Sequence, residues 1–324
     1  MENGYKLKEF FGVPQIIEEA RKSAEAKAKP GKKPGLIWIL TLLISIGLMI
    51  VSEIVMIFPA IPLNLILKKI GSENPDYINS TVIMGIQLYL LIIITIIHCL
   101  YVRFIEKRKL RTIGFVKKGA AVQYLIGLGI GFGIFTLAIL FCALTGSIKV
   151  HLADAINIGP IIFCFGGWLI QGMEEEVCCR GFLMTSLARR YTVTFGIIVN
   201  ALFFAALHLF NDGISVLAFI NLVLYGVFAS VMFVKTGNIW MCSAVHSVWN
   251  FVQGNIYGIQ VSGNELMDTV FVSDFVSGKE LINGGAFGLE GGLGVTIVLV
   301  IGIVVLAIIP MRKDARGENA VKEG

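Results

Sequence analysis

Long apolar runs separated by short polar segments dominate the chain. Several of these runs come near the ~20 residues that an α-helix needs to cross a bilayer. Most of them lack the polar face that a helix in a soluble protein presents to water. The pattern predicts an all-α fold, a polytopic membrane helical bundle of about eight transmembrane helices. The predicted spans are 36–59, 81–101, 121–146, 159–187, 193–210, 214–234, 238–257 and 293–311.

Two polar tails flank the apolar region. Residues 1–35 are predicted to be a basic N-terminal tail, residues 36–311 the transmembrane domain, and residues 312–324 a C-terminal tail. The N-terminal tail is too polar for a secretory signal peptide. Residues 4–28 fit either an amphipathic helix on the membrane surface or a loose tail.

Composition and charge agree with a membrane protein. The chain is 56% hydrophobic and 15% charged, whereas a soluble domain is usually about 25% charged. The loop Arg103–Lys118 carries seven Lys or Arg residues and one Glu, and the loops at the predicted opposite side are poorer in Lys and Arg. Because cytoplasmic loops are rich in Lys and Arg, both termini are predicted to be cytoplasmic. We expect an integral, multi-pass protein of a bacterial plasma membrane. The lipid bilayer is an expected partner, and nucleic acid is not.

Several small-residue features have structural interpretations. The six cysteines all lie in apolar runs, which is typical of buried free thiols. The pairs Gly127/Gly131 and Gly129/Gly133 are GxxxG pairs, which let membrane helices approach closely. The segment Asn283–Gly294 is predicted to be a glycine-rich outer loop, and the sequence indicates no chemistry for it. Glu53 lies alone in the first span, where it fits either a packing hydrogen bond or a cavity lining.

A charged segment interrupts the fourth span, at GMEEEVCCRGF (172–182). Each charge at the bilayer centre costs roughly 3 kcal/mol or more. Such residues must pair, face a cavity or titrate. Glu176 and Arg180 are four residues apart on a helix, in the order that favours an ion pair. This leaves Glu175 free, and carboxylates in such a place suit general acid–base chemistry.

Two of the four histidines lie in apolar spans near this segment's depth. Phe204 and His208 are four residues apart and share a helix face, as do His246 and Asn250. The span positions are compatible with one pocket in the middle to cytoplasmic half of the membrane. A carboxylate and an imidazole can deprotonate a water, and a second imidazole with an amide can donate to an oxyanion. The combination predicts a hydrolase of amide or ester bonds.

Three motifs carry a family resemblance. EEVCCR (175–180), FAALH (204–208) and HSVWN (246–250) match EExxxR, FxxxH and HxxxN, in that order, on separate apolar spans. The chain contains neither HExxH, nor GxSG, nor GxGD. This arrangement resembles the CPBP family of intramembrane proteases, which includes CAAX prenyl proteases and bacteriocin-processing, Abi-like enzymes. The resemblance covers a predicted protease core at 159–257.

The resemblance implies a role for each matching residue. Glu175 would be the general base that activates water, with help from His208. His246 and Asn250 would form the oxyanion hole. The supporting residues would be Glu176, Arg180 and Phe204. The enzyme would be a glutamate-type intramembrane peptidase that cuts a membrane-associated or lipidated peptide or protein.

Some alternatives stay open at this point. Glu174 extends the family's EE to EEE, although the distance to Arg180 selects Glu175 and Glu176. The family was long described as metal-dependent, so a zinc enzyme with Glu175, His208 and His246 as ligands is an alternative to a mechanism without a cofactor. A transporter or channel with a buried polar site is a further alternative, and a non-catalytic scaffold is another.

Overall fold

We analysed a computed structural model of the chain that describes residues 11–73, 80–263, 268–313 and 315–316. The beginning of the predicted N-terminal tail and most of the predicted C-terminal tail lie outside these residues. The described chain is mostly helical, at 71% helix with few strands. This agrees with the predicted helical class, while a small sheet was not predicted.

The helices follow the predicted apolar runs. They are α1 (Gln15–Glu25), α2 (Trp38–Glu73), α3 (Ser80–Leu90), α4 (Ile92–Leu100), α5 (Ala120–Leu144), α6 (Ile158–Glu176), α7 (Thr185–Ala188), α8 (Val193–Leu207), α9 (Val216–Thr236), α10 (Trp240–Phe251), α11 (Glu280–Asn283) and α12 (Leu293–Ile308). Short π-helical segments continue three of them, at Tyr101–Ile105, Val177–Met184 and Val252–Ile256. Short 3₁₀ turns lie at Leu110–Ile113, Gly285–Phe287 and Leu289–Gly291.

Four helical segments within the described residues are long and apolar enough to cross a membrane. They are Trp38–Ile70, Thr81–Ile105, Ala120–Leu144 and Val216–Thr236. The helices Val193–Leu207 and Leu293–Ile308 are apolar but shorter. Eight membrane crossings therefore stay a prediction. The first span is longer than predicted, because α2 continues through Pro59 and Pro62.

Helix α10 lies at the centre of the bundle and packs against α5 and α6. Small residues permit the close approach: a Cβ at Gly127 would lie 2.5 Å from the Met241 carbonyl oxygen, and one at Gly131 would clash with Val248 Cγ1. The first GxxxG pair therefore packs as predicted. The second pair, Gly129 and Gly133, faces open space.

A two-stranded antiparallel sheet joins two distant loops. Strand β1 (Ile148–Leu152) pairs with β2 (Phe271–Phe275), with Val150 opposite Ser273. The sheet follows α5, and Lys279 Nζ donates to the carbonyl oxygens of Thr145 and Gly146 nearby. The long segment between α10 and α12 is therefore fixed to the end of α5.

The basic segments lie together at the other end of the bundle. The Arg21 guanidinium donates to the carbonyl oxygens of Ala188 and Tyr191, so α1 packs on the loop that follows α7. The backbone nitrogen of Gln15 donates to Ala315. The described beginning and end of the chain thus lie at the same end of the bundle.

An acidic residue organises this basic end. Glu106 binds Arg108 at 2.7 Å and Arg189 at 2.9 Å. Burial lowers the pKa of the Arg108 guanidinium to about 10, although Glu106 opposes the shift. The carboxylate of Glu106 therefore compensates two cations that are shielded from water.

Candidate active site

The three consecutive glutamates at the end of α6 enter three different environments. Successive helical residues point about 100° apart, which separates the three carboxylates. Glu174 contacts the Cys178 thiol, Glu175 lines a cavity, and Glu176 binds Arg180. Among the three, only Glu175 faces the space where a substrate would lie.

Glu176 and Arg180 form the buried ion pair that their spacing predicts. Arg180 Nη1 lies 2.9 Å from Glu176 Oε1, and both side chains are 0% exposed. His246 Nδ1 lies 2.9 Å from the same Glu176 oxygen. Since a carboxylate oxygen accepts, Nδ1 of His246 carries the proton of this hydrogen bond. Glu176 therefore fixes the orientation of the imidazole as well as the arginine.

Phe204 holds the other side of this charged group. The Arg180 guanidinium carbon lies 4.6 Å from the centre of the Phe204 ring, a cation–π contact. The Phe204 ring centre is 4.8 Å from that of His208 and 6.0 Å from that of His246. The aromatic ring of FxxxH thus lies between the arginine and both imidazoles.

A chain of amides connects Glu175 to Asn250. Gln171 Nε2 donates to Glu175 Oε1, and Asn250 Nδ2 donates to Gln171 Oε1 at 2.9 Å. The second carboxylate oxygen, Glu175 Oε2, has no hydrogen-bond partner among the described groups and lies 3.6 Å from His246 Nε2. That distance is too long for a hydrogen bond and too short for a water to lie between the two atoms, so Oε2 and Nε2 are neighbours without a direct hydrogen bond.

His208 lies at the end of α8 rather than inside it. Helix α8 ends at Leu207, and His208 is its C-cap. Its Nδ1 lies 2.8 Å from the carbonyl oxygen of Phe204. Because a carbonyl only accepts, Nδ1 carries the proton, and in the neutral ring Nε2 is an acceptor.

One cavity collects the predicted residues. It has a volume of about 290 Å³. Four of its lining side chains are the predicted catalytic ones, Glu175, His208, His246 and Asn250. The lining also includes Gln171, Phe204, Asn211, Tyr225, Trp249, Ser262 and Glu290. Since Asn211, Ser262 and Glu290 belong to loops predicted at the outer side, the cavity extends further in that direction than the sequence predicted.

Sequence reasoning missed several of these side chains. Gln171 was detectable, because it lies four residues before Glu175 on the same helix face. Tyr225 is a polar residue in an apolar span, and its buried hydroxyl has no partner among the described groups. Glu290 lies in the glycine-rich loop, where no spacing rule connects it to the motif helices.

His98, His151, Glu53 and Glu174 are not among the described residues that line this cavity. His98 is buried next to the Cys178 thiol, 3.6 Å away, and Glu174 contacts the same thiol at 3.3 Å. His151 lies on β1, 3.5 Å from Asp274. Glu53 lies exposed on α2. The structure therefore places Glu175 and Glu176, and not Glu174, next to His246.

The zinc alternative requires Glu175, His208 and His246 around one ion. Within the described ranges, no three His, Cys, Asp or Glu side chains are grouped closely enough to hold a metal. The Nδ1 contacts of the two histidines with Glu176 and a backbone carbonyl do not argue against zinc, because such contacts also orient metal-binding histidines, so the misfit lies in the spacing of the three side chains. The donor set as arranged does not fit a zinc centre.

Comparison with known families agrees with this site. Residues 157–252 match the family described as type II CAAX prenyl endopeptidase Rce1-like. The match confirms the resemblance of this segment to the CPBP family of CAAX-type proteases. It spans α6 to the end of α10, which contains all of the predicted site residues. No curated protein and no solved structure matches the chain.

Proposed function

We propose that the protein is an intramembrane endopeptidase in which Glu175 activates the attacking water. The observation that carries this proposal is the Glu175 carboxylate in the cavity wall, whose Oε2 has no hydrogen-bond partner among the described groups and lies 3.6 Å from His246 Nε2. A water in the cavity that binds this carboxylate would have an acceptor for its proton on Glu175. His208 lines the same cavity, and its Nε2 is a second acceptor that helps orient the water.

The reaction proceeds through a tetrahedral intermediate. The water oxygen bonds to the carbonyl carbon of the peptide while Glu175 takes the water proton. The negative charge that develops on the carbonyl oxygen is stabilised by N–H donors. Glu175 then gives its proton to the leaving nitrogen as the C–N bond breaks, which restores the carboxylate.

Asn250 and His246 supply those donors. The Asn250 amide uses one N–H on Gln171 and keeps a second N–H. His246 uses its Nδ1 proton on Glu176, so Nε2 donates when the ring is an imidazolium, with Glu176 as its counterion. In this proposal, Glu176 both pairs with Arg180 and stabilises the imidazolium of His246.

The proposed substrate is a membrane-associated or lipidated peptide or protein. The matched family's description names prenyl endopeptidases, and the cavity lies among apolar helices of the bundle. Purified protein should be incubated in detergent with prenylated and unprenylated peptide libraries, beside a Glu175→Ala control. Mass spectrometry should find new peptide ends with the wild type only. Absence of cleavage of both libraries by well-folded protein would overturn the protease assignment.

The proposed mechanism uses no metal, and a separate experiment tests this. Active enzyme should be analysed for bound metals, chelated, and assayed again. Activity should persist without stoichiometric metal. Zinc that leaves and returns together with activity would contradict the mechanism and leave the peptidase function standing.

A further inference from the structure

A second carboxylate lines the cavity, from the glycine-rich loop before α12. Glu290 Oε1 accepts from Trp249 Nε1 at 3.1 Å, and its Oε2 accepts from the Ser262 hydroxyl at 3.0 Å. The backbone carbonyl of Glu290 is itself bound by the Asn221 amide at 2.7 Å. These bonds fix both the loop and the carboxylate at the cavity wall.

This carboxylate has only neutral partners. Indole N–H and hydroxyl groups satisfy hydrogen bonds but leave the negative charge uncompensated. Among the described residues that line the cavity, none is Lys or Arg. Arg180 follows Glu175 by five residues in the chain, but its guanidinium is fully buried and paired with Glu176. The cavity therefore holds two carboxylates, Glu175 and Glu290, without a permanent cation.

Glu290 is also close to the proposed chemistry. Its indole donor, Trp249, directly precedes the oxyanion donor Asn250 in the chain. The Trp249 ring centre lies 5.5 Å from that of Tyr225, which lies 5.0 Å from the ring centre of His246. Because Glu175 and Glu290 line the same cavity, we infer that a substrate side chain next to the scissile bond extends towards this carboxylate.

We propose that Glu290 is a specificity-determining residue that binds a lysine or arginine side chain of the substrate next to the scissile bond. The inference rests on the proposed peptidase function. A substrate ammonium or guanidinium would supply a cation next to Glu290, whose described side-chain partners are neutral, through a charge-assisted hydrogen bond. A substrate carboxylate at the same place would be repelled.

The alternative explanation is that Glu290 only positions Trp249 and the loop. Glu290→Gln separates the two explanations, because the amide keeps an oxygen acceptor for the indole and removes the charge. A positioning role predicts that the variant loses activity equally on all peptides. A charge-recognition role predicts a selective loss on basic peptides. Glu280→Gln is the matched control, since it removes a fully exposed carboxylate from the same loop region.

The experiment compares peptides that differ in one side chain near the cleaved bond. Lysine is placed at each neighbouring position in turn, and norleucine replaces it as the uncharged analogue. The wild type and Glu280→Gln should cleave the best lysine peptide with a kcat/KM at least about tenfold above that of its norleucine analogue. In Glu290→Gln this ratio should fall to within about twofold of unity. An unchanged ratio, an equal loss on both peptides, or a wild-type preference for norleucine would overturn the proposal.

Binding separates this proposal from the proposed function. In Glu175→Gln, the lysine peptide should bind at least about tenfold tighter than the norleucine peptide, and Glu175→Gln/Glu290→Gln should lose this difference. Binding preference without any wild-type cleavage would refute the peptidase function and support the role of Glu290. Cleavage without a lysine preference would do the reverse.

Discussion

Replacing Glu176 by glutamine is the most severe test of the buried group that Glu176 forms with Arg180 and His246. The variant keeps the size of the side chain and one oxygen acceptor, and removes the charge that compensates Arg180. Both side chains are 0% exposed, so the arginine is left as a buried charge without a counterion. Breaking a buried pair in this way costs about 3–5 kcal/mol. For a chain of 324 residues, that corresponds to a fall in the thermal midpoint of about 4–7 °C.

The same substitution should affect stability and turnover by separable routes. Glu176→Gln/Arg180→Met removes both charges and should recover most of the lost thermal midpoint, since a buried pair can be replaced by apolar groups at little cost. Turnover should not recover, because His246 still lacks its carboxylate partner at Nδ1. We expect kcat of the double variant to stay at least about tenfold below wild type.

Thermal unfolding and peptide cleavage of the purified variants provide the assays. Glu174→Gln is the matched control, because it is the same change two residues away at a buried carboxylate whose described contact is with the Cys178 thiol. Its thermal midpoint should stay within about 2 °C of wild type. The reasoning would be refuted if Glu176→Gln melted like the wild type, or if the double variant melted no higher than the single one.

Three further predictions follow from other parts of the molecule. Gln171→Leu removes the amide that bridges the proposed base and the oxyanion donor, so kcat should fall by about 10²-fold, as for an oxyanion-hole donor; turnover near the wild-type level would contradict the bridge. Glu106→Gln leaves Arg108 and Arg189 uncompensated, so the thermal midpoint should drop by several degrees while the folded fraction keeps its kcat; a loss of kcat at unchanged stability would contradict this. Cysteines introduced at Lys109 and Asp274 should label from opposite sides of the membrane, and labelling from one side would refute the predicted topology.

The helices were predictable because burial in lipid leaves a strong and local signal. An apolar run of sufficient length identifies a membrane helix without knowledge of its neighbours. The ends were less accurate: the first span was predicted to end at residue 59, yet α2 continues through Pro59 and Pro62 to Glu73. Strands β1 and β2 were missed because each has five residues and its partner is far away in the chain.

The site was predictable where helical spacing carries the information. Glu176 and Arg180 are four residues apart, and the structure pairs them. Phe204 and His208 have the same spacing, and their ring centres lie 4.8 Å apart. Glu290 was not predictable in this way, because its place at the cavity depends on long-range contacts of a loop with Trp249 and Ser262.

The central claim is that the Glu175 carboxylate is the base, and one kinetic comparison tests it most directly. A peptide that the wild type cleaves should be given to purified Glu175→Gln, with the thermal midpoint of both proteins measured in parallel. The amide cannot accept the proton of water, so kcat should fall by about 10²–10⁴-fold while the midpoint stays close to that of wild type. A Glu175→Gln protein that cleaves the peptide at the wild-type rate would contradict the account.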